Sequence, residues 1–138
     1  MSELSASRQK RRVIEALFVL FVVVVIGGCG TPLQPTPPAV VFPDSNVSFR
    51  RHVQPFLRQG CSLVGCHNDG SRAGGVALEE YRHLWERPGL VVPGDPTASL
   101  LQQILERRIW HSPEPLTLST ENQRRGVRRW IAEGAQNN

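Results

Sequence analysis

The residues best equipped for chemistry lie in one short run, Cys61-Ser62-Leu63-Val64-Gly65-Cys66-His67. Two thiols followed directly by an imidazole are the set that holds a c-type haem. The thiols add across its two vinyl groups and the imidazole reaches the iron. The usual spacing places two residues between the cysteines, and here there are four. A Cys61–Cys66 disulfide closing a small loop uses the same thiols and leaves His67 a bystander. A zinc site fits less well, because it wants four ligands and only three candidates cluster here. The run by itself leaves haem and disulfide both open.

A haem also needs a second axial ligand or an open sixth position. The other histidines are His52, His83 and His111, and the single methionine is Met1. His111 stands in the stretch Ile109-Trp110-His111-Ser112-Pro113-Glu114-Pro115, where prolines stiffen a loop able to fold over a cofactor face. A solvated loop histidine is the plainer alternative. His52 and His83 fall on expected helices and read as surface or packing residues.

The elements that must position these groups read as helices joined by long Gly- and Pro-rich loops. Ser48 can cap a short helix through Phe49, Val53, Phe56 and Leu57, which Pro55 confines to one or two turns or bends. Leu78 to Glu86 is a second candidate, ending before Pro88-Gly89. Asp95-Pro96 offers a capping carboxylate and a first-turn proline to a helix carrying Leu100, Leu101, Ile104 and Leu105. Ser119 is the expected cap of a last helix with Val127, Trp130 and Ile131 on one face and a stop at Gly134. Gly126 inside that helix suggests a close crossing by the first helix, or a simple surface glycine. No run alternates well enough for a strand, so the fold class expected is all-α.

The N-terminal stretch reads as an export signal. Arg8, Lys10, Arg11 and Arg12 precede an apolar run from Ala16 to Ile26. That run is shorter than the ~20 residues a membrane span needs, and it suits a secretory h-region. Ile26-Gly27-Gly28-Cys29 resembles the lipobox of bacterial lipoproteins, in which the cysteine is lipidated and becomes the new N-terminus. An uncleaved anchor helix is the alternative; Glu15 and the brevity of the apolar run argue against it. The expected organisation is therefore a signal peptide over 1–28, a lipid-anchored Pro-rich linker over 29–43 and a domain over 44–138. Such a chain lies outside the cytoplasm, tethered by several acyl chains to the cell envelope: the periplasmic side of the inner or outer membrane, or the cell surface.

Beyond residue 28 the chain has 12 Arg against 10 acidic residues and no lysine. This mild balance gives no reason to expect nucleic-acid binding. The arginines come in pairs, Arg50-Arg51, Arg107-Arg108, Arg124-Arg125 and Arg128-Arg129. Most read as a solvated face, since Glu121 and Glu133 sit at helical spacing from Arg125 and Arg129. One or two could pair with haem propionates or steer an acidic redox partner. No nucleophile elbow, paired-carboxylate signature or phosphate loop points to an enzyme.

The order of fragments resembles the single-haem cytochrome c-like domain common in exported proteins and lipoproteins of planctomycetes and deltaproteobacteria. The fragments are Val47-Ser48-Phe49, Val53-Gln54-Pro55-Phe56-Leu57, the cysteine loop with its longer spacing, Gly74-Gly75-Val76-Ala77-Leu78, Tyr81, Val92-Pro93-Gly94-Asp95-Pro96, Ser99-Leu100-Leu101, Leu118-Ser119 and Trp130-Ile131-Ala132-Glu133-Gly134-Ala135. The resemblance implies a small helical domain with covalently attached haem c on Cys61 and Cys66 and His67 as proximal iron ligand. One departure stands out. The family's distal ligand is a methionine in a Met-Pro-Pro stretch, and the matching stretch here holds His111 instead. The expectation is a membrane-anchored monohaem cytochrome passing single electrons to redox partner proteins, with His67 and His111 on the iron. Its rivals are a haem-free, disulfide-stabilised structural lipoprotein of an envelope complex, and a haem sensor or peroxidase-like module with an open sixth position.

Overall fold

The computed structural model describes residues 39–138. The expected signal peptide, the expected lipidation site Cys29 and most of the Pro-rich linker lie outside the described residues. Among the described residues there are helices and no strands, and no helix is long and apolar enough to cross a membrane.

The chain enters helical structure through a π-helical turn, Phe49–Val53, that runs directly into α1, Gln54–Gly60. Ser48 caps it as expected, its Oγ accepting from the Arg51 N–H. Pro55 does not stop the helix. It sits in the first turn of α1, where a missing N–H costs little, and the widened turn before it bonds Val53 N–H to the Ser48 carbonyl and Gln54 N–H to that of Phe49. Two short 3₁₀ turns follow, Ala73–Gly75 and Tyr81–Trp85. The helix expected over Leu78 to Glu86 is thus only its second half. Then come α2, Leu100–Leu105; α3, Pro115–Leu118; and α4, Glu121–Ala132.

α4 is the longest element and the one on which the others are assembled. It packs against both the π-helical turn and α2, while α2 also meets α3. Val127, Trp130 and Ile131 form its buried face, as the periodicity indicated. Phe49 sits between Tyr81, at 5.2 Å in an edge-on contact, and Trp130, at 5.6 Å. The Tyr81 hydroxyl donates to the Ala135 carbonyl and the Trp130 indole N–H to that of Gln136, so the polar tips of both rings are satisfied as they are buried. Gly134, at a φ of +98°, ends α4 with backbone bonds from Gly134 and Ala135 back to Ile131 and Trp130.

Several expectations need correction. Thr120, not Ser119, caps α4; its Oγ accepts from the Gln123 N–H and the Gln123 side chain accepts from the Thr120 N–H. Asp95 caps a turn rather than a helix. Its carboxylate accepts from the Thr97 hydroxyl and the Thr97 and Ala98 N–H groups, which hold it below its ordinary pKa, the Thr97 hydroxyl most strongly. Extended backbone at Ser99 then delays α2 to Leu100, whose first N–H groups are taken by the Gly89 and Leu90 carbonyls.

The packed domain also begins earlier than Asp44. Phe42 is buried in the core, its backbone N–H and C=O held by the Asn122 amide, and Gln123 donates to the Val40 carbonyl. The neighbour that requires Gly126 is Phe42 rather than the first helix: a Cβ at Gly126 would overlap the Phe42 side chain. Arg125 does pair with Glu121, at 3.8 Å, but Glu133 accepts the N–H groups of Asn46 and Val47 instead of meeting Arg129.

Candidate functional site

The four residues between the cysteines fold into a turn that restores the short approach. The Cys66 N–H donates to the Leu63 carbonyl at 2.9 Å, and Gly65 has a φ of +82°, the value the third position of a type II turn requires. Val64 is left at the solvent-facing tip, 91% exposed. The His67 N–H then donates to the Cys61 carbonyl at 3.1 Å. The longer spacing is therefore absorbed in a protruding turn, and His67 still closes back onto Cys61.

His67 is tied down on its other side by the segment after the first 3₁₀ turn. Its carbonyl accepts from the Leu78 N–H at 2.9 Å, and its Nδ1 lies 3.3 Å from the Val76 carbonyl. A carbonyl only accepts, so in the neutral ring Nδ1 is the donor and Nε2 keeps its lone pair. His111 repeats the pattern. Its Nδ1 lies 3.0 Å from the Pro113 carbonyl, the same tautomer in a neutral ring. The two Nε2 atoms face each other at 3.4 Å.

Cys61, Cys66, His67 and His111 all line one cavity of about 480 Å³, within the size range of cofactor sites. Its walls are otherwise mainly apolar: Val76 and Leu78, Leu90, and Leu100, Leu101 and Ile104 of α2. Gly60 allows the Leu118 backbone close to the end of α1, which brings the His111 loop over the cysteine turn. Leu63 and Val64 on one side, and Ile109 and Trp110 beside His111, leave large apolar side chains in solvent.

Cys61 and Cys66 are free thiols in this structure. Burial, and secondarily the neighbouring Cys66, push the Cys61 thiol up to about 12. It is a thiol rather than a thiolate at neutral pH. Among the described residues no cluster of three or more His, Cys, Asp or Glu side chains is placed to hold a bare metal ion.

The other two histidines serve packing. His83 is 2% exposed, with its Nε2 3.7 Å from an Asp69 oxygen, and His52 accepts the Ser48 N–H on Nδ1. None of the arginine pairs noted in the sequence lines the cavity; the one arginine that does is Arg87. Sequence reasoning passed over Arg87 because it stands alone in a loop, with no spacing to mark it. No protein-family model, curated protein or solved structure matches this chain.

Proposed function

We propose that the chain is a monohaem c-type cytochrome that passes single electrons, on an exported lipoprotein anchored through Cys29. The observation that carries this reading is the facing pair of imidazoles. Nδ1 of each ring lies against a backbone carbonyl, and in the neutral rings both Nε2 lone pairs converge inside an apolar cavity. Two lone pairs so aimed repel one another unless a proton or a metal centre lies between them. A ring Nδ1–H held by a backbone carbonyl is also the usual outer support of a metal-ligating histidine.

The residues fit the group. Cys61 and Cys66 would hold it, each adding S–H across a vinyl double bond so that sulfur bonds one carbon and hydrogen the other, with no oxidant needed. His67 would be the proximal ligand and His111 the distal one. Bound haem supplies reversible one-electron chemistry at iron. The chain supplies the apolar walls that exclude water, the two fixed imidazoles and the apolar rim of Leu63, Val64, Ile109 and Trp110, which suits a transient encounter with a redox protein. Two imidazoles, in place of an imidazole and a thioether, favour a lower potential. The helical domain with long loops around one cavity supports the cytochrome c-like resemblance, and a domain of this size gains stability from a covalently held group.

One observation favours the open-site alternative. The two Nε2 atoms stand only 3.4 Å apart, so a group held between the imidazoles would displace one of them. His111, on a loop, has to give way, and a ligand that gives way is displaceable. Absorbance of the protein from its native host, before and after dithionite, tests the reading. Sharp α and β bands on reduction support it, and a protein with no visible absorbance refutes it. A high-spin ferric spectrum would favour the sensor or peroxidase-like alternative.

A further inference from the structure

We propose that Arg87 anchors an acidic substituent of the group held in the His67–His111 cavity, a carboxylate such as a haem propionate. The inference rests on the haem reading above and adds a residue to it. The cavity lining is apolar apart from the two thiols, the two imidazoles and Ser112, and Arg87 is its only permanently charged side chain.

Nearly every other arginine around it is committed. Arg72 pairs with Asp69 and Glu86, Arg82 with Glu80, Arg107 with Glu114, and Arg108 and Arg128 with Glu106. Among the described residues Arg87 has no hydrogen-bond or ion-pair partner on its side chain. Its neighbour Glu86 carries the nearest carboxylate in sequence, and that charge is taken by Arg72. An uncommitted guanidinium at the edge of an apolar cavity is equipped for a planar, two-toothed anion, and carboxylate is the group it matches best. Arg58 and Arg124 are hydrogen-bonded to Glu79 and Ser119, and Arg50, Arg51 and Arg129, without ion-pair partners among the described residues, do not line the cavity.

The Arg87 loop is held independently of its side chain. The Arg87 carbonyl accepts from the Leu90 N–H, and Gly89 takes a φ of +78° that lets the turn close. The side chain is exposed, so replacing it leaves the fold intact.

The test uses the full chain made in a host that matures c-type haem, as wild type, Arg87→Gln, Arg87→Lys and the control Arg129→Gln. Haem load is read by mass and absorbance, and the reduction potential is followed from pH 5 to 9. A propionate beside a guanidinium ionises at lower pH, so losing Arg87 moves the downward bend of potential against pH up by about one unit or more. Arg87→Lys keeps most of the wild-type position, and Arg129→Gln keeps all of it. Haem present with Arg87→Gln indistinguishable from Arg129→Gln overturns the assignment of Arg87 alone. Absence of haem from the wild type overturns the haem reading beneath it.

Discussion

Nε2 of His67 and Nε2 of His111 face each other at 3.4 Å, while Nδ1 of each ring lies against a backbone carbonyl. The residues are 44 positions apart, one in the cysteine turn and the other in the Pro-rich loop before α3. Two separate pieces of chain have been brought to one point with their lone pairs exposed to it.

The first expected outcome concerns that pair. His111→Ala should turn a low-spin ferric haem into a high-spin or water-bound one and open the ferrous form to carbon monoxide. His52→Ala and His83→Ala should leave the spin state unchanged, because those side chains serve the Ser48 N–H and the core. Absorbance and electron paramagnetic resonance of the loaded variants read the result.

Alkaline stability should separate haem-free from haem-loaded protein. The Cys61 thiol is pushed up to about 12 in the folded chain, by burial first and by Cys66 second, against an ordinary 9.0. Between those values the unfolded chain has lost a proton that the folded chain keeps, so ionisation favours unfolding. The contribution is intact below pH 9 and is lost as the pH rises towards 12. A Cys61 sulfur held in a thioether has no proton to lose. Urea midpoints from pH 8 to 11 should therefore fall more steeply for the haem-free, reduced protein.

Gly126→Ala should destabilise the domain by roughly 1–3 kcal/mol, the range for overpacking a filled core. The added methyl overlaps Phe42, which two hydrogen bonds to Asn122 hold in place. A thermal melt reads the loss, and trimming Phe42 to Leu in the same chain should return part of it.

Thr120→Ala should cost about 0.5–2 kcal/mol through loss of the α4 cap. The loss is measurable by urea denaturation and identifies Thr120 as the residue that starts the helix.

The four residues that line the cavity together were singled out in the sequence because their types and order are themselves the signal. Cys61, Cys66 and His67 lie in one short run, and His111 stands in the Pro-rich stretch where the resembling domains carry a methionine. The buried face of α4 was legible for the same reason, since periodicity is local. Choices between neighbours were not. Ser119 and Thr120 have equivalent side chains, and only the register of α4 decides between them. Asp95-Pro96 has the chemistry of a helix start, but Ser99 spends its hydroxyl on Val92 and Asp95 in extended backbone, which holds the helix back. Phe42 and Arg87 take their roles from residues far along the chain, Asn122 and Gly126 for one and the cavity walls for the other, so local pattern carries no trace of them.

The central claim is that Cys61 and Cys66 hold a haem covalently, and the intact mass of the protein tests it most directly. Protein made in a host with c-haem maturation, extracted with acid–acetone to strip any loosely held haem, should retain one haem in mass, with both thiols blocked to alkylation. A haem-free mass with an intact Cys61–Cys66 disulfide would contradict the account.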